Sequence, residues 1–285
     1  MSRIFYVNGS FVDEQDAKIS VLDRGFLFAD AVYEVSSVLN GKLVDNRAHI
    51  ARLHRSLSEL SMAPPCSDEE LFGCQKQLLE LNQLEEGLLY LQVSRGVADR
   101  DFSFPKDPSS SLVMFTQSKP LIDVPAAKTG INVISVPDIR WARRDIKTVG
   151  LLAPSLAKQQ ALDAGAQDAW MVEDGYVTEG TSNNAYIVRK DKVIQTRHLG
   201  NAILSGITRV AVLKFAREEG YTVEEEPFTV DQVKAAEEAF FTSASGFVMP
   251  VVSIDGESIG TGVPGTVTTR LRKIYIETAL QQADL

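Results

Sequence analysis

Two cysteines and three histidines in 285 residues leave little room for disulfide or metal chemistry. Cys66 and Cys74 are too few for a disulfide framework or a cysteine-rich zinc site, and His49, His54 and His198 lack ligand spacing. No metal is expected. Positive charge is also scarce: 29 Lys and Arg against 38 Asp and Glu give a formal charge of -9. Nucleic acids and anionic membranes need clustered basic residues, so neither is an expected partner, and small molecules are. No apolar run reaches the ~18 to 20 residues that span a bilayer, and the N-terminus lacks the basic and apolar regions of a signal peptide. The expected location is cytoplasmic. Glycine-rich phosphate loops of the Rossmann and Walker types, internal repeats and low-complexity segments are missing as well.

What is present is core-forming material. With 44% hydrophobic residues the chain can bury a large core, as one large domain or two smaller ones. Arg3 to Val12 holds two short β-prone runs around Asn8-Gly9, which predicts a hairpin. From Asp45 the apolar period changes. Ile50, Leu53, Leu57 and Leu60 recur at helical spacing, which puts His49, Arg52 and Ser56 on other faces and leaves Arg52 free to reach a ligand. Strands are expected at Leu88 to Ser94 and Ser111 to Gln117. The prolines at 120 and 125 then interrupt regular structure and suggest a boundary, giving a domain over 1–118, a linker over 119–125 and a domain over 126–285.

The second half predicts strands near Ile131 to Val136, Asp168 to Glu173, Asn184 to Arg189, Glu238 to Ser243 and Met249 to Ile254. Helices are expected over Pro154 to Ala164, Gly206 to Glu219 and Thr266 to Gln281. Strands and helices mix without strict βαβ alternation, which indicates an α+β fold.

Lys147 is the residue with the most chemical promise. It lies in the connection between an expected strand and a helix whose first turn holds Pro154, and such connections often carry function. A lysine forms an imine only when deprotonated, which nearby positive charge favours; Arg143 and Arg144 are close in sequence. Ser205-Gly206-Ile207-Thr208 opens a helix, where free backbone amides and the dipole favour an anion.

Five segments, in order, resemble the fold-type IV pyridoxal-phosphate aminotransferases, and within them the D-amino acid aminotransferases. They are Val21 to Phe28 followed by Val32-Tyr33-Glu34-Val35, His49 to Leu53, the Lys147 segment, Val177 to Asn184 and Leu204 to Arg209. The resemblance implies two domains, a small N-terminal α/β domain and a larger mixed α+β cofactor-binding domain, in a homodimer. It implies pyridoxal 5'-phosphate as cofactor, held by Lys147, which also moves the proton of the substrate α-carbon. Glu179 would pair with the pyridine nitrogen. The Ile207 amide, Thr208 and Arg52 would hold the phosphate, Leu204 would pack on the ring face, and Ser243 and the Ala244 amide would border the cofactor. Tyr33 would bond substrate or cofactor.

Arg95 to Pro105 resembles the loop that grips the substrate carboxylate from the neighbouring subunit, with Arg100 as its guanidinium. Phe102 departs from the family pattern, which has histidine there. The expected reaction moves an amino group from a D-alanine-like donor to a 2-oxo acid. An (R)-selective amine:pyruvate transaminase, a branched-chain aminotransferase and an aminodeoxychorismate lyase are the alternatives, and Phe102 keeps the amine reading open.

Overall fold

A computed structural model describes residues 2–282 and divides them into two compact units. The first unit comprises the described residues through Pro120, the short run Ile146–Gly150 and the described residues from Ala279 on; the second comprises Leu121–Asp145 and Leu151–Thr278. Residue 1 and residues 283–285, the outer ends of the two expected domains, lie outside the described residues.

In the first unit, β1 (Ile4–Val7) and β2 (Ser10–Asp13) form the expected hairpin. Asn8 and Gly9 both take positive φ, 46° and 93°, as a two-residue turn matched to strand twist requires. A short helix α1 (Arg24–Phe28), strands β3 (Ala31–Leu39) and β4 (Lys42–Leu43), helices α2 (Asn46–Glu59) and α3 (Asp68–Asn82), and strands β5 (Glu86–Ser94) and β6 (Ser111–Ser118) follow. The sheet order is β2-β1-β6-β5-β3-β4. Ile50, Leu53 and Leu57 of α2 are all buried, each stabilising the fold by roughly 1.5 to 3 kcal/mol at most. They meet Leu71 and Leu78 of α3 and Leu89, Leu91 and Met114 of the sheet.

The opposite face of this sheet carries a row of stacked rings. Phe5 stacks on Phe115 (5.3 Å), Phe115 on Tyr90 (4.7 Å) and Tyr90 on Tyr33 (5.5 Å), one ring from each of four adjacent strands. Helix α3 is absent from the sequence expectations above, although Ser67 and Glu70 form a complete capping box at its start.

The second unit runs α4 (Pro125–Thr129), β7 (Ile131–Pro137), α5 (Leu152–Asp163), β8 (Asp168–Glu173), β9 (Tyr176–Gly180), β10 (Asn184–Val188) and β11 (Val193–Thr196). It continues through α6 (Ile207–Glu218), β12 (Thr222–Glu225), α7 (Val230–Lys234), β13 (Glu238–Ser243), β14 (Phe247–Ile254), β15 (Glu257–Ser258) and α8 (Thr266–Gln282). The strand order is β12-β11-β10-β13-β14-β7-β8-β9, with β15 on β14. Parallel pairs (β7 with β8 and β14, β11 with β12) mix with antiparallel ones, so the class is α+β as expected. Trp170, Phe228 and Ile254 fill its core. The pairing Asn184 with Thr242 brings the start of β10 and the end of β13 to the same end of the sheet.

Candidate active site

Lys147 is held by its backbone and left open at its amine. Ile146 is buried in the core of the first unit, and the next residues run along the edge of β3. There the Tyr33 N–H donates to the Lys147 carbonyl (3.0 Å), and the Val149 N–H donates to the Ala31 carbonyl (3.1 Å). The Lys147 N–H reaches Ser56 Oγ on α2 (3.4 Å). The Lys147 ammonium makes no hydrogen bond or ion pair among the described residues and lies 4.1 Å from the Tyr33 ring centroid. Arg143 and Arg144 are committed elsewhere, as bidentate partners of Asp145 and Glu173.

On the other face of β3, Glu34 meets α2. Its Oε1 accepts from Arg52 Nε (2.8 Å), and its Oε2 from an Arg52 terminal nitrogen (2.6 Å) and from His49 Nδ1 (2.7 Å). The expectation of a free Arg52, with His49 and Ser56 outside the core, is thus corrected. His49 and Ser56 are buried, and Arg52 is anchored by a carboxylate that helical periodicity does not reveal. Burial alone would raise the Glu34 pKa, but the Arg52 charge and the bonds from Arg52 and His49 outweigh it and bring it down to about 2.

Arg100 lies in an exposed loop of the same unit. Its guanidinium sits 5.4 Å from the Phe28 ring and 5.6 Å from the Phe102 ring, and it makes no hydrogen bond or ion pair among the described residues. Phe28 and Phe102 meet edge to face at 5.6 Å. Phe102 therefore offers Arg100 a ring face where a histidine would offer a donor.

In the second unit the candidates gather at the sheet end formed by β10 and β13. Glu179, near the end of β9, is buried. Its Oε2 accepts from Asn184 Nδ2 (3.0 Å) and the Leu204 N–H (3.1 Å), and its Oε1 accepts from Arg140. Burial pushes its carboxyl upward, against the pull of Arg140. Asn184 also donates to the Leu204 carbonyl (2.9 Å).

Gly206 precedes α6 and gives no side-chain cap, so the first amides of α6, from Ile207 and Thr208, have no intrahelical acceptor. A Cβ at Gly206 would lie 2.2 Å from Asn184 Oδ1, so only glycine fits there without displacing that side chain. Ser243 Oγ accepts from the Gly246 N–H (3.0 Å) and keeps its own proton to donate; Ala244 follows in the same turn.

Pyridoxal 5'-phosphate has an aldehyde, a basic ring nitrogen and a phosphate. An open lysine amine, a buried carboxylate and an uncapped helix start are donor chemistry of the matching kinds, so these residues fit that cofactor. Glu34 and Asn184 lie in segments that carry the resemblance, but neither they nor Asp138 and Arg140 have a role assigned from sequence, because no spacing marks their partners.

The profile of the family described as amino-transferase class IV matches residues 31–254. The chain is 41% identical over 276 residues to a D-alanine aminotransferase of Staphylococcus aureus (strain N315), covering 96% of both proteins. It is 39% identical over 280 residues to a D-alanine aminotransferase of Bacillus licheniformis, covering 98% of this chain and 96% of the relative. Among solved structures, a T.th. branched-chain amino acid aminotransferase complexed with N-(5'-phosphopyridoxyl)-L-glutamate superposes with a TM-score of 0.89 at 28% identity, covering 99% of this chain and 95% of the other. The branched-chain amino acid aminotransferase of Escherichia coli gives a TM-score of 0.90 at 23% identity, covering 100% and 96%, a likeness of fold alone.

Proposed function

This chain belongs to the class IV aminotransferases, and on that footing we propose that it moves an amino group between a D-alanine-like D-amino acid and a 2-oxo acid with pyridoxal 5'-phosphate. The observation that carries this reading is the open Lys147 amine, held over Tyr33 by a backbone bonded to both β3 and α2. The near-full-length likeness to D-alanine aminotransferases supports the choice of substrate.

When bound, the cofactor supplies an electron-accepting ring that stabilises negative charge developing at the substrate α-carbon. Lys147 Nζ would hold it covalently and, once displaced by the amino substrate, would carry the α-proton. Glu179 would accept the ring N–H. The amides of Ile207 and Thr208, with Arg52, Ser243 and the Ala244 amide, would take the phosphate. Leu204 would pack on the ring, and Tyr33 would bond substrate or cofactor.

Arg100, open and flanked by two rings, favours a substrate with a carboxylate over a simple amine. In a homodimer it would serve the other subunit. The reading includes a cytoplasmic location and the functional division into 1–118, 119–125 and 126–285. Among the described residues no helix is long and apolar enough to cross a membrane.

A half-reaction tests the substrate. Protein loaded with cofactor is mixed separately with D-alanine, L-leucine and (R)-1-phenylethylamine, and loss of the visible cofactor band is followed. Fast bleaching by D-alanine is expected. Bleaching by L-leucine or the amine alone would transfer the assignment to the corresponding relative.

A further inference from the structure

One guanidinium in the second unit is shared by two buried carboxylates. Arg140 donates from Nε to Asp138 Oδ1 (2.9 Å) and from a terminal nitrogen to Asp138 Oδ2 (2.6 Å), while its other terminal nitrogen donates to Glu179. Thr178 Oγ1 also donates to Asp138 Oδ2 (2.7 Å). The side chains of Asp138, Arg140 and Glu179 are 0%, 10% and 6% exposed, so water screens none of these charges.

The other charges nearby have partners of their own. Arg144 Nε lies 3.6 Å from Asp138 Oδ2 without a hydrogen bond, and its terminal nitrogens are fixed bidentate on Glu173 of β8 (2.8 and 2.7 Å). Arg197, beyond β11, donates to the Val177 carbonyl (3.5 Å) and acts on Glu173. Among the described residues, Arg140 is thus the one cation in hydrogen-bond contact with Glu179. The remaining donors to that carboxylate, Asn184 and the Leu204 amide, are neutral.

We propose that Arg140 is the positioning residue that keeps Glu179 ionised and turned toward the cofactor's ring nitrogen, with Asp138 fixing Arg140 in turn. The inference rests on the assignment of Glu179 to that nitrogen. Deep burial disfavours the charged carboxylate, and Arg140 is the protein's own cation offsetting that penalty, so its loss shifts the shared proton toward Glu179. One proton is at stake. With Arg140 present it resides on the ring nitrogen and Glu179 accepts its hydrogen bond. Without Arg140 it moves to Glu179, and the ring nitrogen becomes neutral. Asp138 acts in both directions, since it orients Arg140 but also opposes the charge of Glu179.

The test uses pyridoxamine 5'-phosphate labelled with 15N in the ring, which binds without the Lys147 bond. The 15N chemical shift reports the ring proton directly across a pH series, and a titration gives the dissociation constant. Wild-type protein should bind with the ring nitrogen protonated. Arg140→Gln should lose that proton within the same pH range and bind about tenfold more weakly or worse, the usual loss with a charge-assisted hydrogen bond. Asp138→Asn keeps an amide oxygen to orient Arg140 while removing the charge that opposes Glu179, so it should hold the ring proton to higher pH than wild type.

Both variants break the same ion pair, so a merely structural role would move them in the same direction; opposite shifts support the proposal and parallel shifts overturn it. If Arg140→Gln does not fold, Arg140→Lys carries the test, keeping the charge and so the ring proton while losing affinity. A ring nitrogen protonated in wild type and Arg140→Gln alike overturns the role of Arg140 alone. A neutral ring nitrogen in wild type overturns the Glu179 assignment and the proposal with it.

Discussion

The Lys147 ammonium stands 4.1 Å from the centre of the Tyr33 ring, and the Tyr33 N–H donates to the Lys147 carbonyl at 3.0 Å. One residue of β3 therefore places both the backbone and the amine of the lysine. Because main-chain bonds hold the segment, Lys147→Ala should fold normally, lose the visible band of covalently bound cofactor and lose turnover. Tyr33→Ala should keep the band when loaded and, in the cofactor-free protein, give up a cation–π contact of about 0.5 to 2 kcal/mol. Absorbance and thermal melts check both, and loss of the band in Tyr33→Ala would make the tyrosine more than a support.

Glu34 makes stability depend on acid. Its pKa falls from the ordinary 4.5 to about 2 because Arg52 and His49 outweigh the penalty of burial. A depressed carboxyl stabilises the fold fully above its unfolded value and loses that stabilisation as pH drops from near 4.5 toward 2, of order 3 kcal/mol in all. Melting temperature measured over this window should fall steeply in wild type and more gently in Glu34→Gln. The variant should also bind cofactor less well, since Arg52 loses its anchor. Parallel melting curves would show that Glu34 is not the group that titrates.

The proposed role of Arg100 is to separate substrates by their carboxylate. Arg100→Ala should raise KM for D-alanine about tenfold or more, the scale of a charge-assisted contact, while sparing (R)-1-phenylethylamine. Phe102→Ala removes one of two flanking rings, a loss of roughly 0.5 to 1 kcal/mol for an exposed cation–π contact, and should raise the same KM a few-fold. Equal losses for both substrates would end the carboxylate assignment.

Gly206 is required for space. Its Cβ would meet Asn184 Oδ1 at 2.2 Å, and Asn184 would have to leave its bonds to Glu179 and Leu204. Gly206→Ala should cost about 1 to 3 kcal/mol of stability as an overpacked site and weaken cofactor binding as well. Lower melting temperature with unchanged cofactor affinity would detach Asn184 from the cofactor.

Much of the fold is legible in sequence where one local rule governs. Asn8-Gly9 specifies a turn, Ile50, Leu53 and Leu57 specify a buried helix face, and the strand Asp168–Glu173 falls at the bounds its apolar run implies. Helix α3 carries its signal in Ser67 and Glu70, a pattern of local hydrogen bonding that apolar periodicity alone passes over. The site is less legible because it depends on partners distant in the chain. Nothing in the run around Arg52 announces Glu34, eighteen residues earlier, and nothing near Glu179 announces Arg140, thirty-nine residues earlier. Ordered motifs identify the family; the pairing of buried charges comes from the folded chain.

The run from Lys147 to Val149 also closes an edge. Strand β3 would otherwise present the Tyr33 N–H and the Ala31 carbonyl unpaired, an invitation to any passing strand, and these are the groups the run occupies. The stretch that carries the proposed reactive amine thereby guards the sheet against strand addition, tying solubility and the proposed chemistry to the same few peptide bonds.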